Sequence, residues 1–191
     1  NSREVKLVLE EKAIPYEKIN VHDPVFNRES PEFKKASPRG KVPAIIDGDV
    51  YLSEAYDINA YLEGRYPQNP LLPGDAARRT EIREWVAAMD KRVCLKIGLL
   101  LIECLLKPAL EQKEEVKERL RREIREGLAE LDRKLRGQDY FFGEFSLADA
   151  SIIPHISGLR RVNFVIPEEF GNLRRWFERV KTRPSFAATQ E

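Results

Sequence analysis

Residues 67–74 read Pro-Gln-Asn-Pro-Leu-Leu-Pro-Gly, and three prolines with a glycine in eight positions suit neither a helix interior nor a strand. The chain of 191 residues is therefore expected to form two domains, 1–66 and 75–191, joined by a linker at 67–74. The stretch before the linker mixes periods. Val5, Val8, Leu9 and Ala13 recur at helical spacing and predict a helix from about Ser2 that stops before Pro15. Tyr16-Glu17-Lys18-Ile19-Asn20-Val21 reads as a strand. A polar loop with Pro24, Pro31 and Pro38 follows, holding at most a short helix near Glu32–Ala36. The β-rich runs Val42–Ile46 and Val50–Leu52 flank Asp47-Gly48-Asp49, a strong hairpin signal. Ser53 then precedes Ala55, Ile58, Tyr61 and Leu62, a helical period that ends before Pro67, with Ser53 at its N-terminus.

Beyond the linker the pattern is helical throughout. One long helix is expected from Asp75 to Pro108, with Ile82, Trp85, Val86 and Met89 on one face and an almost wholly apolar stretch, 97–106, buried on most sides. Val116, Leu120, Ile124, Leu128, Leu131 and Leu135 mark an amphipathic helix between Glu111 and Gly137. Ser146 and Asp149 fit a variant capping box, with a hydrophobic staple from Phe145 to Ala150. Trp176, Phe177 and Val180 belong to a helix from about Glu168 to Thr182, stopped before Pro184, and are read as core. The fold class is thus an α+β unit followed by an all-α helical bundle.

Charge narrows the function. Lys plus Arg number 33 and Asp plus Glu 32. Up to Tyr66 there are 10 basic and 12 acidic residues, leaving 23 and 20 beyond it. Neither part carries the positive excess on which sequence-blind nucleic-acid binding relies, so no nucleic acid is expected as a partner. No apolar run of about 18 residues spans a membrane. Residues 1–12 intersperse charges with Val5, Leu7, Val8 and Leu9, unlike a secretory signal. Cys94 and Cys104, if on one helix, stand about 15 Å apart along its axis, too far for a disulfide, which fits a reducing cytoplasm. His22 and His155 have no neighbouring ligand pattern, so no metal is expected.

Gly40-Lys41-Val42-Pro43 and Ser53-Glu54-Ala55 are the candidate site. A proline opening a strand and a helix N-terminus would meet at one edge of the small domain. A cis Val42–Pro43 bond would turn the Val42 backbone outward to pair with an extended peptide. Helix N–H groups at Glu54-Ala55 suit a carboxylate, and Lys41 suits another. The same residues also fit a plain strand start and an ordinary N-terminal Glu.

These segments, with Ala44, the run Glu54-Ala55-Tyr56-Asp57-Ile58-Asn59-Ala60-Tyr61-Leu62, the Phe145–Asp149 run and Trp176–Phe186, resemble cytosolic glutathione transferases over nearly the whole chain. The resemblance implies a thioredoxin-like N-terminal domain, an all-helical C-terminal domain and a cytoplasmic homodimer. It also implies glutathione as co-substrate, held by Lys41, Val42, Pro43, Glu54 and Ala55, its thiolate attacking a small electrophile. The acceptor would lie between the domains, against an apolar wall near Trp85, Met89 and Val93, residues that fit core packing equally. Two departures stand out. The family's usual Glu-Ser is here Glu54-Ala55, without the hydroxyl that bonds the γ-glutamyl carboxylate, an interaction worth about 1.5–3 kcal/mol. The first helix begins at once, so the strand that precedes it in the family, and the thiol-activating residue, are expected upstream of Asn1. Ser2 matches the last position of a Cys-x-x-Ser pattern, which makes it a candidate catalyst or a helix cap. Two alternatives stay open: a glutathione-dependent thiol reductase, and a non-catalytic regulator. The latter rests on similarity to the RNA polymerase-associated stringent starvation protein A in Val5–Glu11 and around Tyr140–Asp149, although Pro67-Gln68-Asn69 stands where that protein has Pro-His-Pro.

Overall fold

The computed structural model describes residues 2–22 and 27–190. Asn1 and Pro24, both named above, lie outside the described residues. Two compact units emerge, one from the first residues to Leu71 together with those from Ala188 onward, the other Leu72–Ala187.

In the first unit, α1 (Ser2–Glu11) buries Val5, Leu7, Val8 and Leu9, and just beyond its end Ala13, with φ 52°, turns the chain away. Ser2 is the first helical residue rather than a cap outside the helix. Residues 16–21 do not form the expected strand. Strand N–H and C=O groups are satisfied across a ladder. Among the described residues no strand lies beside this segment, and Tyr16 and Ile19 stay 39% and 45% exposed. Helix α2 (Pro31–Ala36) is opened by Ser30, whose side chain accepts from the Phe33 N–H at 3.3 Å, with Pro31 in the first turn.

Strands β1 (Ala44–Asp47) and β2 (Val50–Ser53) form the expected antiparallel hairpin, Asp47 pairing with Val50. The central turn residues are therefore Gly48 and Asp49, and the positive φ of 60° falls on Gly48, where no Cβ opposes it. Helix α3 (Ala55–Arg65) follows directly. Its N-cap is Glu54, not Ser53, because Ser53 is held in the ladder opposite Ala44. Tyr66 and Tyr61 both donate to Asp47 Oδ2, at 2.7 and 2.9 Å, tying the hairpin tip to α3 and holding the Asp47 carboxyl below its ordinary pKa.

The second unit opens with α4 (Ala76–Met89), capped by Asp75 on the Arg78 N–H at 2.8 Å. The rod continues as a π-turn (Asp90–Cys94), α5 (Leu95–Leu101) and a second π-turn (Ile102–Leu106). Each π-turn rotates the faces that follow it. The expected burial of 97–106 is accordingly only half met: Ile97 and Leu100 are fully buried, whereas Leu99, Ile102, Leu105 and Leu106 are 40–74% exposed. Glu103 takes the inner position instead, accepting from the Lys113 N–H at 2.8 Å and pairing with Lys107 at 2.6 Å. Helix α6 (Glu114–Lys134) buries Leu120, Ile124, Leu128 and Leu131, and Gly127 lets it approach Val93, which a Cβ would meet at 2.8 Å.

Helix α7 (Leu147–Gly158) starts with the capping box. The Asp149 carboxylate accepts from Ser146 N–H and Oγ–H at 3.0 and 3.1 Å, from the Trp176 indole at 2.8 Å and from the Phe141 N–H at 3.3 Å. Burial outweighs these donors and pushes its pKa up to about 6. Phe145 stacks edge-on against Tyr140 beneath the Arg183 guanidinium. Helices α8 (Gly171–Lys181) and α9 (Pro184–Ala188) complete the unit, with Trp176 and Val180 fully buried as expected and Phe177 stacked on both Trp176 and Phe186. Among the described residues no helix is long and apolar enough to cross a membrane.

Candidate functional site

Hairpin register decides where the sequence-derived residues lie. Ala44 pairs with Ser53, so Lys41-Val42-Pro43 and Glu54-Ala55 leave the same open end of the hairpin side by side. The Val42–Pro43 peptide is cis, as expected. Pro43 is buried and Val42 is 42% exposed, while Lys41 is also exposed.

Short-range hydrogen bonds hold this loop. Buried Ser37 satisfies both polar groups of the Lys41 backbone: its Oγ accepts from the Lys41 N–H at 2.9 Å and donates to the Lys41 carbonyl at 2.7 Å. The Arg28 guanidinium donates to the Gly40 carbonyl, and Gly40 itself turns at φ 65°. With its backbone fixed, Lys41 presents a charge to solvent without having to order its own loop.

On the other side of the opening, the chain passes from β2 into α3 through one residue. Glu54 makes that turn with φ 70° and ψ 125°, a region that costs a non-glycine residue about 1–3 kcal/mol. Its side chain does not cap the helix. It pairs instead with Arg39 from the loop, at 2.5 Å. The first N–H groups of α3 have no partner within the helix and are available to an anion. Ala55 is only 7% exposed and brings no hydroxyl.

Helices α1 and α3 lie against each other and run the same way. Asn59 donates to Glu4 at 2.8 Å near the start of both, and Lys12 pairs with Glu63 at 2.7 Å beyond the end of α1. Their N-terminal ends, where the helix dipoles are positive, are therefore on one side, with Ser2 at the start of α1. Asn59 Oδ1 is buried there with no hydrogen-bond partner among the described residues.

Helix dipoles, Lys41 and Arg39 favour carboxylates or a thiolate, Glu54 favours an ammonium, and the exposed residue Val42 offers a place for an extended peptide. Among the described residues no cluster of His, Cys, Asp or Glu could hold a metal ion. Of the two readings of Trp85, Met89 and Val93, acceptor wall or core, the second holds. Met89 and Val93 are 1% and 0% exposed in the helical core, and Trp85 stacks on Phe141 and Phe142 with centroids 4.7 and 5.7 Å away. Arg39, Ser37 and Arg28 were not singled out from sequence. Only the place of Arg39, one residue before Gly40-Lys41, offered a signal for it.

Comparison with known proteins agrees with this architecture. The model of the glutathione S-transferase N-terminal domain matches residues 1–70, and that of the C-terminal domain matches residues 93–184. A zeta-class glutathione S-transferase from Euphorbia esula is 30% identical over 186 residues, spanning 95% of this chain and 81% of the relative. A probable glutathione S-transferase from Oryza sativa subsp. japonica is 28% identical over 196 residues, spanning 97% and 88%. The crystal structure of a Burkholderia graminis glutathione transferase, which holds two glutathione molecules per subunit, superposes with a TM-score of 0.85 at 27% identity, covering 98% of this chain and 82% of that one. The first unit is thus the thioredoxin-like N-terminal domain of that architecture and the second its helical C-terminal domain, and the chain belongs to the glutathione S-transferase family.

Proposed function

We propose that this chain is a glutathione transferase whose glutathione site is the open end of the β1–β2 hairpin. The observation that carries the reading is the register pairing Ala44 with Ser53, which sets Lys41, Val42 and Pro43 beside Glu54 and Ala55. Lys41 takes the glycyl carboxylate. The backbone of Val42, ahead of Pro43, pairs with the cysteinyl residue. Glu54 and the Ala55 N–H take the γ-glutamyl end. The thiol loses its proton near the N-terminal end of α1, beside Ser2, where the dipole favours a thiolate. The sulfur then forms a bond to an electrophilic carbon, and the leaving group departs with its electron pair. In this reading residues 1–66 form the glutathione domain, 67–74 the linker and 75–191 the helical domain of a cytoplasmic homodimer.

Thermal unfolding tests it. A ligand that binds only the folded chain adds about 2.7 kcal/mol at a hundredfold excess over its dissociation constant, so the midpoint rises with glutathione. Lys41→Ala reduces the rise, and Ala55→Ser enlarges it by supplying a hydroxyl to the γ-glutamyl carboxylate, an improvement that damage to the fold does not produce. Midpoints indifferent to millimolar glutathione in both the parent and Ala55→Ser would refute the assignment.

A further inference from the structure

We propose that Glu4 holds a proton and donates it to Asn59 Oδ1, closing an acid–amide pair between α1 and α3 that keeps negative charge away from the N-terminal end of α1. Asn59 is 3% exposed and Glu4 9%. The amide nitrogen donates to Glu4 Oε1 at 2.8 Å, and the amide oxygen is buried without a donor among the described residues. A buried acceptor in that state forfeits the hydrogen bonds it made to water. Turning the amide over does not relieve it: Oδ1 would then face Glu4 Oε1, and the amide nitrogen would lose its acceptor. In either orientation the contact lacks one proton, and a protonated carboxyl supplies an O–H while keeping acceptor capacity for the amide N–H. Burial works in the same direction, because it disfavours the charged form of a carboxyl.

The charged groups that α1 and α3 carry nearby have other placements. Arg3, next in the chain, donates to the Thr189 hydroxyl at 3.4 Å, and Lys6, two positions on, leaves α1 on a different face. On α3, Glu54 pairs with Arg39, Asp57 is exposed, and Glu63 pairs with Lys12 beyond the end of α1. The α1 dipole favours a carboxylate in its first turn, where Glu4 stands, but it satisfies no buried acceptor. The consequence for catalysis rests on the glutathione reading above. A carboxylate in the first turn of α1 repels a thiolate formed at that end, whereas a neutral Glu4 leaves the positive end of the dipole unopposed there.

Infrared difference spectra of the full chain at neutral pH, parent minus Glu4→Gln, test the proton directly. The expected result is a protonated-carboxyl C=O band in the parent that moves to lower frequency in D2O and is missing from the variant; absence of the band overturns the proposal. Carbon-13 NMR of the Glu4 carboxyl in the parent reads the same proton without a substitution, and the chemical shift of the ionised form at about pH 7 overturns it equally. Glu4→Gln can make both hydrogen bonds of the pair, so its unfolding equilibrium constant in urea stays within about twofold of the parent, whereas Glu4→Met raises it about tenfold or more by leaving the whole Asn59 amide unpaired. Bound glutathione supplies the functional readout through the ultraviolet absorbance of its thiolate. Glu4→Gln should leave the thiol pKa within about half a unit of the parent's, and a larger fall, the signature of a removed negative charge, overturns the proposal. A parent that binds no glutathione refutes the glutathione reading and this consequence of it, while the infrared band still decides the proton.

Discussion

Replacing Lys12 probes a buried charge pair of the first unit. Lys12 is fully buried, and its ammonium donates to Glu63 Oε1 at 2.7 Å, to the Gln68 carbonyl at 3.1 Å and to the Asn69 carbonyl at 3.3 Å. The Glu63 side chain, 8% exposed, also accepts from the Leu71 N–H at 3.1 Å. One side chain thus joins the end of α1, the third turn of α3 and residues 68–71. Lys12→Met keeps much of the apolar stem and removes the ammonium that the Glu63 carboxylate and the Gln68 and Asn69 carbonyls accept from. Removal of one partner from a buried pair typically costs about 3–5 kcal/mol. The Leu71 N–H remains on Glu63, which places the expectation at the lower end, about 3 kcal/mol, or a fall of about 6–12 °C in melting midpoint for a chain of this size. The double variant Lys12→Met/Glu63→Gln removes both charges and should recover at least about 1 kcal/mol, because no uncompensated ion is then buried. Urea unfolding followed by far-UV circular dichroism measures the stabilities, and hydrogen exchange of the peptide containing Leu71 reports the local effect. If Lys12→Met unfolds within about 0.5 kcal/mol of the parent, or the double variant falls by the sum of the single changes, the pair does not join these segments energetically.

Two further tests address the helical unit. Ser146→Ala should destabilise it by about 1–2 kcal/mol, since a buried cap and one donor to Asp149 are lost together, and overlapping urea curves would show the capping box to be dispensable. For the pH test, burial raises Asp149 from 3.8 to about 6, so between these values the folded chain binds more protons than the unfolded one and stability falls as pH rises, by about 3 kcal/mol in all. Burial lowers His155 from 6.5 to about 4, which makes stability rise with pH over nearly the same window. The two slopes oppose each other, and His155→Gln should lose stability relative to the parent as pH increases from 4 to 6.5; a constant difference between their urea stabilities across that range would refute the His155 assignment.

Local signals located the elements whose ends are set by local chemistry. Asp75 and the Ser146–Asp149 pair announce helix starts because their side chains satisfy backbone donors within a few residues. The turn at Gly48 is legible because the tight hairpin calls for a positive φ there, which glycine adopts freely. What was not legible depends on distant partners. Tyr16–Val21 has strand composition, but composition supplies no neighbouring ladder. The run 97–106 looks uniformly buried, yet Leu106 is 74% exposed and Glu103 is 3% exposed. That inversion needs a π-turn to shift the phase and a loop to bring the Lys113 N–H to Glu103, and neither has a short sequence mark. At the site, Lys41, Val42, Pro43, Glu54 and Ala55 could be named because they form contiguous motifs. Ser37 and Arg39 act through a closed loop and an ion pair across 15 positions, so their roles appear only in three dimensions.

Glu54 shows how the local and global demands meet. Its positive φ works against the preference of any L side chain, and an exposed ion pair worth about 0–1 kcal/mol does not offset a strain of about 1–3 kcal/mol. The helix that the turn begins does offset it. Ile58 and Leu62 on α3 are 0% and 2% exposed, and burying each such side chain contributes about 1.5–3 kcal/mol. Starting α3 one or two residues later would relieve Glu54 but would disturb the burial of Ile58 and Leu62. The strain is therefore maintained by packing about one and two turns along the helix, which leaves the Glu54 side chain free of any duty as a cap. A glycine would make the same turn without strain. The carboxylate at this position is required neither by the turn nor by a cap, and it serves the ion pair with Arg39 instead.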